Sequence, residues 1–392
     1  MLPLQGITVV AVEQAVAAPF ASRQLADLGA RVIKIERPGV GDFARSYESA
    51  VKGLSAHLVW LNRSKESLTL DLKRPEAADV LRRLVARADV FLHNLAPGAI
   101  ERLGFGSSAL RKADPRLITC EVSGYGSSGP YRDKKAYDLL VQSETGLLSV
   151  TGTPEAPARV GISVADISAG MYAFSGVLAA LLARERSGAG TAVEVSLFDS
   201  LAEWMSFPAY FAAYSGASLP RTGARHPVIA PYGPFVAGDG KTVFLGVQND
   251  REWATFCGQV LERPELADTP RFRTNQDRAR HEGALKEIIT ASFGRFTADE
   301  VVARLEAAGI ANARMNTVHE FLDHPQLESR QRWGQVDSPV GPLRVLVPPF
   351  NFEGMEGVMG PVPALGEHTD AILGELGFDA ATVDDWRRAG VV

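Results

Sequence analysis

The feature that most constrains this chain is an alternation. Over its first two hundred residues, short β-branched apolar runs take turns with longer stretches of helical periodicity. Ile7-Thr8-Val9-Val10-Ala11-Val12 reads as a buried strand, and Ala18 to Leu28 as a helix stopped by Gly29. Strands are next expected at Arg31–Ile35, Ser67–Leu72, Val90–Leu92, Leu117–Val122 and Val193–Leu197. Between them, Pro75 opens a helix over Glu76–Ala88 whose Ala78, Val80, Leu81, Leu84 and Val85 share one side, and a long helical stretch covers Val164–Glu185. Strands that are apolar on both faces need helices over both faces. The expected fold is therefore α/β, with a large Rossmann-like parallel-sheet domain.

The pattern changes near residue 205. Residues 205–231, rich in Pro, Gly, Tyr and Ala, read as a linker, and 232–325 as a smaller α/β domain with a strand at Thr242–Gly246. Its helices are expected around Trp253–Leu261, Gly283–Phe293 and Ala298–Ala308. Residues 326–392 then return to the large domain begun by 1–204 and end with a helix over Thr369–Gly377. In such sheets ligands bind beyond the carboxyl ends of the strands.

Composition narrows the partners. Lys plus Arg number 41 against 46 acidic residues, a net charge of −5, which argues against broad nucleic-acid binding but permits a local cationic pocket. Cys120 and Cys257 stand alone, without disulfide or metal spacing, and point to a reducing, cytoplasmic setting. The start MLPLQGITVVAVEQ lacks the basic region of a signal peptide, and the most apolar stretch, Met171–Ala183, is short for a bilayer. His319 and His324 are five apart and do not share a helix face, so no metal site is expected.

Gly124-Tyr125-Gly126-Ser127-Ser128-Gly129 matches the dinucleotide-binding string GxGxxG after a strand. There the third glycine should lie in a helix packed on the sheet. Here it is followed by Pro130-Tyr131-Arg132-Asp133-Lys134-Lys135, a turn and a charged loop, so the string reads as a glycine turn. A dehydrogenase would have to rest on that string alone.

A set of segments resembles the family III CoA-transferases, the formyl-CoA and carnitine CoA-transferase group. They run in the family's order: Ala17–Phe20, Gln24–Pro38, Gly41–Arg45, Asn62–Lys65, Leu68–Lys73, Asn94–Gly98, Ser123–Gly126 with Gly129-Pro130, Ala136–Asp138, Asp166 with Gly170-Met171, and Gly366–Thr369. The resemblance implies CoA bound by the large domain, no tightly bound cofactor, a CoA thioester and a small carboxylic acid as substrates, and an interlocked homodimer. It places the acyl-carrying nucleophile at Asp166 and CoA contacts at Arg37, Leu70, Asn94, Arg102, Lys135 and Tyr137. Read for itself, Asp166 stands in the first turn of a long helix, where the macrodipole favours an ionised carboxylate or a cap. Arg37, Leu70 and Asn94 lie near strand ends, as a ligand would require. Ala96 stands where many relatives carry Arg or Lys, which shifts a phosphate contact toward Arg102.

The implied chemistry is covalent transfer through an aspartyl-CoA thioester, with oxyanion donors expected at Gly246 or the Gly124–Gly129 turn. The same fold serves α-methylacyl-CoA racemases, which need two acid/base groups; here Tyr137 fills the position of their histidine, which favours transfer. A non-catalytic CoA-binding protein would have no use for Asp166. The segments Glu13–Phe20 and Arg37–Arg45 look most like members that handle mesaconate, citramalate, itaconate and succinate. Arg45 is a candidate partner for a second carboxylate.

Overall fold

A computed structural model describes residues 2–392. The alternation becomes a six-stranded, wholly parallel sheet: β1 (Thr8–Val12), β2 (Arg31–Glu36), β3 (Lys65–Thr69), β4 (Val90–His93), β5 (Ile118–Ser123) and β6 (Ala192–Ser196). Its order is β3-β2-β1-β4-β5-β6, so the winding reverses between β1 and β4 and opens a crevice at their carboxyl ends. The doubly apolar strands are explained by cover on both faces. Val10, Val12, Ile33, Ile35 and Phe91 pack with Val80, Leu81 and Leu84 of the helix Pro75–Val85 and with Ile372 and Leu373 near the C-terminus.

The long helix spans Val164–Ser187 and packs against β5, β6 and the helix Ala17–Asp27. Gly170 allows that last contact, since a Cβ there would lie 2.7 Å from the Ala17 carbonyl oxygen. Gly188, at φ +73°, ends the helix in the left-handed conformation that suits glycine. Among the described residues this is the one helix long and apolar enough to cross a membrane, and half of its most apolar stretch is buried within the fold.

Contacts divide the chain into two compact units: one of residues up to Gly146, Val160–Ser206 and Glu328–Val392, the other of Leu147–Arg159 and Phe207–Leu327. The second unit has a three-stranded antiparallel sheet, β7 (Tyr232–Val236), β8 (Thr242–Gly246) and β9 (Ala311–Arg314), in the order β7-β8-β9. Val243, Leu245, Trp253, Phe256, Phe293 and Leu305 form its core. Thr297 and Glu300 cap the helix Ala298–Ala307 reciprocally. The first unit also carries an antiparallel hairpin, β10 (Trp333–Val336) and β11 (Leu343–Leu346), whose Val336, Leu343 and Val345 pack on Leu58 and Val59.

Two local expectations shift. β3 begins at Lys65 rather than Ser67, because its polar first residues face buried carboxylates instead of water and so escape a reading by hydrophobicity. Residues 205–231 hold a helix, Ser206–Ser215, inside the segment expected as linker.

Candidate active site

The carboxyl ends of β1, β2 and β3 open into a cleft of about 320 Å³. Val12, Glu13 and Gln14 line it after β1, Glu36 and Arg37 after β2, and Leu70 to Lys73 after β3. Ala99, Arg102 and Leu103 close the side beyond β4. Arg37, Lys73 and Arg102 are exposed, so three cations stand around an apolar lining that includes Ile35, Leu70, Leu72 and Leu95. A cleft of this kind suits an anionic ligand with an apolar portion.

Below that rim lie three buried carboxylates, each tied to a cation. Glu13 pairs with the Lys65 Nζ at 2.6 Å and accepts the Ser22 hydroxyl at 2.6 Å. Asp42 pairs with the Lys34 Nζ at 2.6 Å, and that ammonium also donates to the Asn62 Oδ1 at 2.8 Å. Glu36 receives the Arg45 fork at 2.8 and 2.7 Å and the Ser67 hydroxyl at 2.6 Å. Burial pushes the Glu36 carboxyl up, but Arg45, Lys34 and Ser67 outweigh it and hold it at about 2. The motifs Gly41–Arg45 and Asn62–Lys65 thus carry a buried ionic layer. Arg45, the expected partner for a substrate carboxylate, is committed to Glu36.

Asp166 is the contrasting case. It lies half-buried in the first turn of the long helix, and no cation or hydrogen-bond donor reaches its carboxylate among the described residues. The helix N-terminus is occupied instead by Asp138, whose Oδ1 accepts from Ala165 N at 2.8 Å and Asp166 N at 3.4 Å. Gln142 holds Asp138 in turn, donating to Oδ2 at 2.7 Å. Burial, with the Asp138 charge beside it, pushes the Asp166 carboxyl up to about 7. This reverses the expectation that the macrodipole keeps Asp166 ionised: the terminal N–H groups serve a different carboxylate. Asp166 is also not the cap of its helix.

The predicted residues therefore separate. Arg37, Leu70 and Arg102 meet in the cleft. Asn94 sits at its edge with its amide paired to Gln14. Lys135 and the 67% exposed Tyr137 lie outside the cleft, on the loop that enters the helix Asp138–Glu144. The Gly124–Gly129 turn is tied down, with Gly126 N donating to the Ser123 Oγ at 3.0 Å and Ser127 N to the Glu194 Oε1 at 2.5 Å. No helix follows it before Asp138, so it lacks the dinucleotide geometry. Gly246 ends β8 in the second unit.

Sequence reasoning missed Lys73 and Tyr47. Lys73 closes the Leu68–Lys73 motif, and its place four residues past Thr69, the end of β3, was the available signal. The Tyr47 phenol is pushed up to about 12 by burial and by the charges of Asp42, Asp166 and Tyr137. Its ring stands edge-on to His57 at 5.3 Å.

A switch-point cleft ringed by cations suits an anionic ligand, and a carboxylate with a raised pKa in the same unit is a feature of functional sites. The chain belongs to CoA-transferase family III, whose description matches residues 4–369. It is similar to succinyl-CoA–D-citramalate CoA-transferase of Chloroflexus aurantiacus, at 35% identity over 95% of this chain and 94% of that one. Succinyl-CoA:glutarate CoA-transferase of Homo sapiens is 30% identical over 100% of this chain and 90% of its own. The crystal structure of a CAIB/BAIF family protein from Brucella suis superposes with a TM-score of 0.84 at 32% identity, covering 96% and 99% of the two chains. The protein is accordingly an enzyme of the CoA-transferase class, with acyl-CoA and a carboxylate as its substrates.

Proposed function

We propose that this enzyme moves CoA from succinyl-CoA, or another dicarboxylyl-CoA, to a small carboxylic acid through an aspartyl-CoA thioester on Asp166. The observation that carries this reading is the unpartnered, half-buried Asp166 carboxylate raised to about 7. At neutral pH the ionised form is accessible, and it is a better nucleophile than an ordinary carboxylate because it is more basic and poorly solvated. Ionised Asp166 attacks the thioester carbonyl, giving a mixed anhydride and CoA thiolate. The thiolate attacks the aspartyl carbonyl, releasing the donor acid and leaving aspartyl-CoA. The acceptor carboxylate attacks that thioester, regenerating an anhydride and thiolate. The thiolate then takes the acceptor acyl group and frees Asp166. Protons balance because only carboxylates and thiolates exchange.

Arg37, Lys73 and Arg102 suit the phosphates of CoA, and Leu70 its apolar contact, with Lys135 and Tyr137 as contacts from the loop before Asp138. The relatives named for succinyl-CoA and for glutarate or citramalate support dicarboxylate substrates. With Arg45 engaged by Glu36, the second carboxylate has to find another partner. The working form we propose is a cytoplasmic homodimer. Tyr210 and Tyr214, 63% and 88% exposed on the helix Ser206–Ser215, support an apolar face for a second copy, and the two free cysteines fit a reducing compartment.

The test is incubation with succinyl-CoA and a panel of mono- and dicarboxylic acids, with new CoA esters identified by mass spectrometry. New esters with the wild type and none with Asp166→Ala are expected. Transfer to no acid, or full activity in Asp166→Ala, overturns the reading; release of α-deuterium from a 2-methylacyl-CoA without exchange would make the enzyme a racemase.

A further inference from the structure

Ala15 has φ +61°, a left-handed backbone that alanine seldom adopts. Such a conformation persists when its surroundings over-determine it, and two side chains do so here. The Asn94 amide pairs with a single residue, Oδ1 accepting Gln14 N–H at 2.9 Å and Nδ2 donating to the Gln14 carbonyl at 2.8 Å. On the other flank the Asp42 Oδ1 accepts Ala15 N–H at 3.0 Å, and Asp42 is itself buried and fixed by Lys34.

The clamped turn joins two places. On one side, Gln14 and Asp42 line the cleft. On the other, Ala15 and Val16 pack in one cluster with Ile167 and Met171, on the turns of the long helix that carry Asp166. We propose that Asn94 is a positioning residue: through the Gln14–Val16 turn it sets the backbone against which Asp166 works, and its side chain is not there to hold CoA. The inference rests on the reading of Asp166 as nucleophile. It explains why an asparagine and not an aspartate stands at this strand end, since the amide both accepts from an N–H and donates to the carbonyl of the same residue, whereas an ionised carboxylate only accepts.

Steady-state kinetics on the full chain distinguish the roles. Asn94→Ala is expected to lower kcat by about 10- to 100-fold, the scale of a small misplacement, while KM for succinyl-CoA stays within about threefold. Asn94→Asp keeps the acceptor and loses the donor, and should fall between. Adding Ala15→Gly to Asn94→Ala should restore much of kcat, because glycine holds the left-handed conformation without the clasp. A raised KM with kcat unchanged would make Asn94 a CoA contact and overturn the proposal; so would the absence of rescue in a double variant that folds. If Asn94→Ala does not fold, Asn94→Asp decides by the same split. Full activity in Asp166→Ala would instead bring down the nucleophile reading, whatever the Asn94 variants do.

Discussion

The cleft floor and the start of the long helix both take carboxylates out of water, and they treat them in opposite ways. Glu13, Glu36 and Asp42 are almost fully buried, and each is neutralised by its own lysine or arginine. Asp166 is less buried, yet its nearest charged influence is another carboxylate, Asp138. Glu36, paired with Arg45, is held at about 2. Asp166, left unpaired, rises to about 7. Pairing Glu13, Glu36 and Asp42 lowers the negative charge that the cleft presents; Asp71, which also lines it, has no ion-pair partner among the described residues. An unpaired carboxylate provides reactivity at the cost of stability.

The strongest way to break this comparison is to unpair the floor. Lys34→Met leaves Asp42 buried without its cation, which should destabilise the fold by about 3–5 kcal/mol, read as a lower urea midpoint. A loss under about 1 kcal/mol, the scale of a surface pair, would mean the floor is not held by its ion pairs. Removing the unpaired charge should do the reverse. A folded pKa of about 7 against an unfolded value near 4 means that ionised Asp166 opposes folding above pH 7. The penalty begins as pH rises past the unfolded value, is complete above the folded one, and is absent below about pH 4. Asp166→Asn is therefore expected to stabilise by at most about 4 kcal/mol at pH 8 and by nothing near pH 4. An unchanged Tm at pH 8 would show that Asp166 is not strained as its surroundings imply.

Much of this was legible in the sequence where the determinant is local. The parallel sheet follows from strands apolar on both faces, and Arg37 and Leu70 fall at the cleft because strand ends do. What was hidden is pairing across distance. Arg45 and Glu36 are nine residues apart, Lys65 and Glu13 fifty-two, and no periodicity links them. The Asp166 environment was misread for the same reason: the macrodipole argument is sound for one helix, but the residue that occupies its N–H groups, Asp138, comes from 27 residues before Ala165. The hairpin β10–β11 and the strand β9 went unseen because their short runs mix polar and apolar residues; β9 is recruited by the distant β8, and the hairpin packs on the distant Leu58 and Val59.

The finest test separates the two causes of the raised Asp166 pKa. Burial comes first and Asp138 second. Asp138→Asn removes the charge and keeps an oxygen that can accept from Ala165 N, so the long helix retains its N-terminal partner. If Asp166 is the nucleophile, as proposed, transfer needs its ionised form, and in the wild type kcat/KM should rise with pH through about 7 and level off above it. In Asp138→Asn the acid limb should move down by about one pH unit and no further, because burial still disfavours the charge. The pH profile of kcat/KM for succinyl-CoA measures the shift. A limb that stays near 7 would assign the whole perturbation to burial, and one that falls to the ordinary aspartate range would assign it to Asp138. Either outcome sharpens why this carboxylate is raised while Glu36, buried in the same fold, is held at about 2.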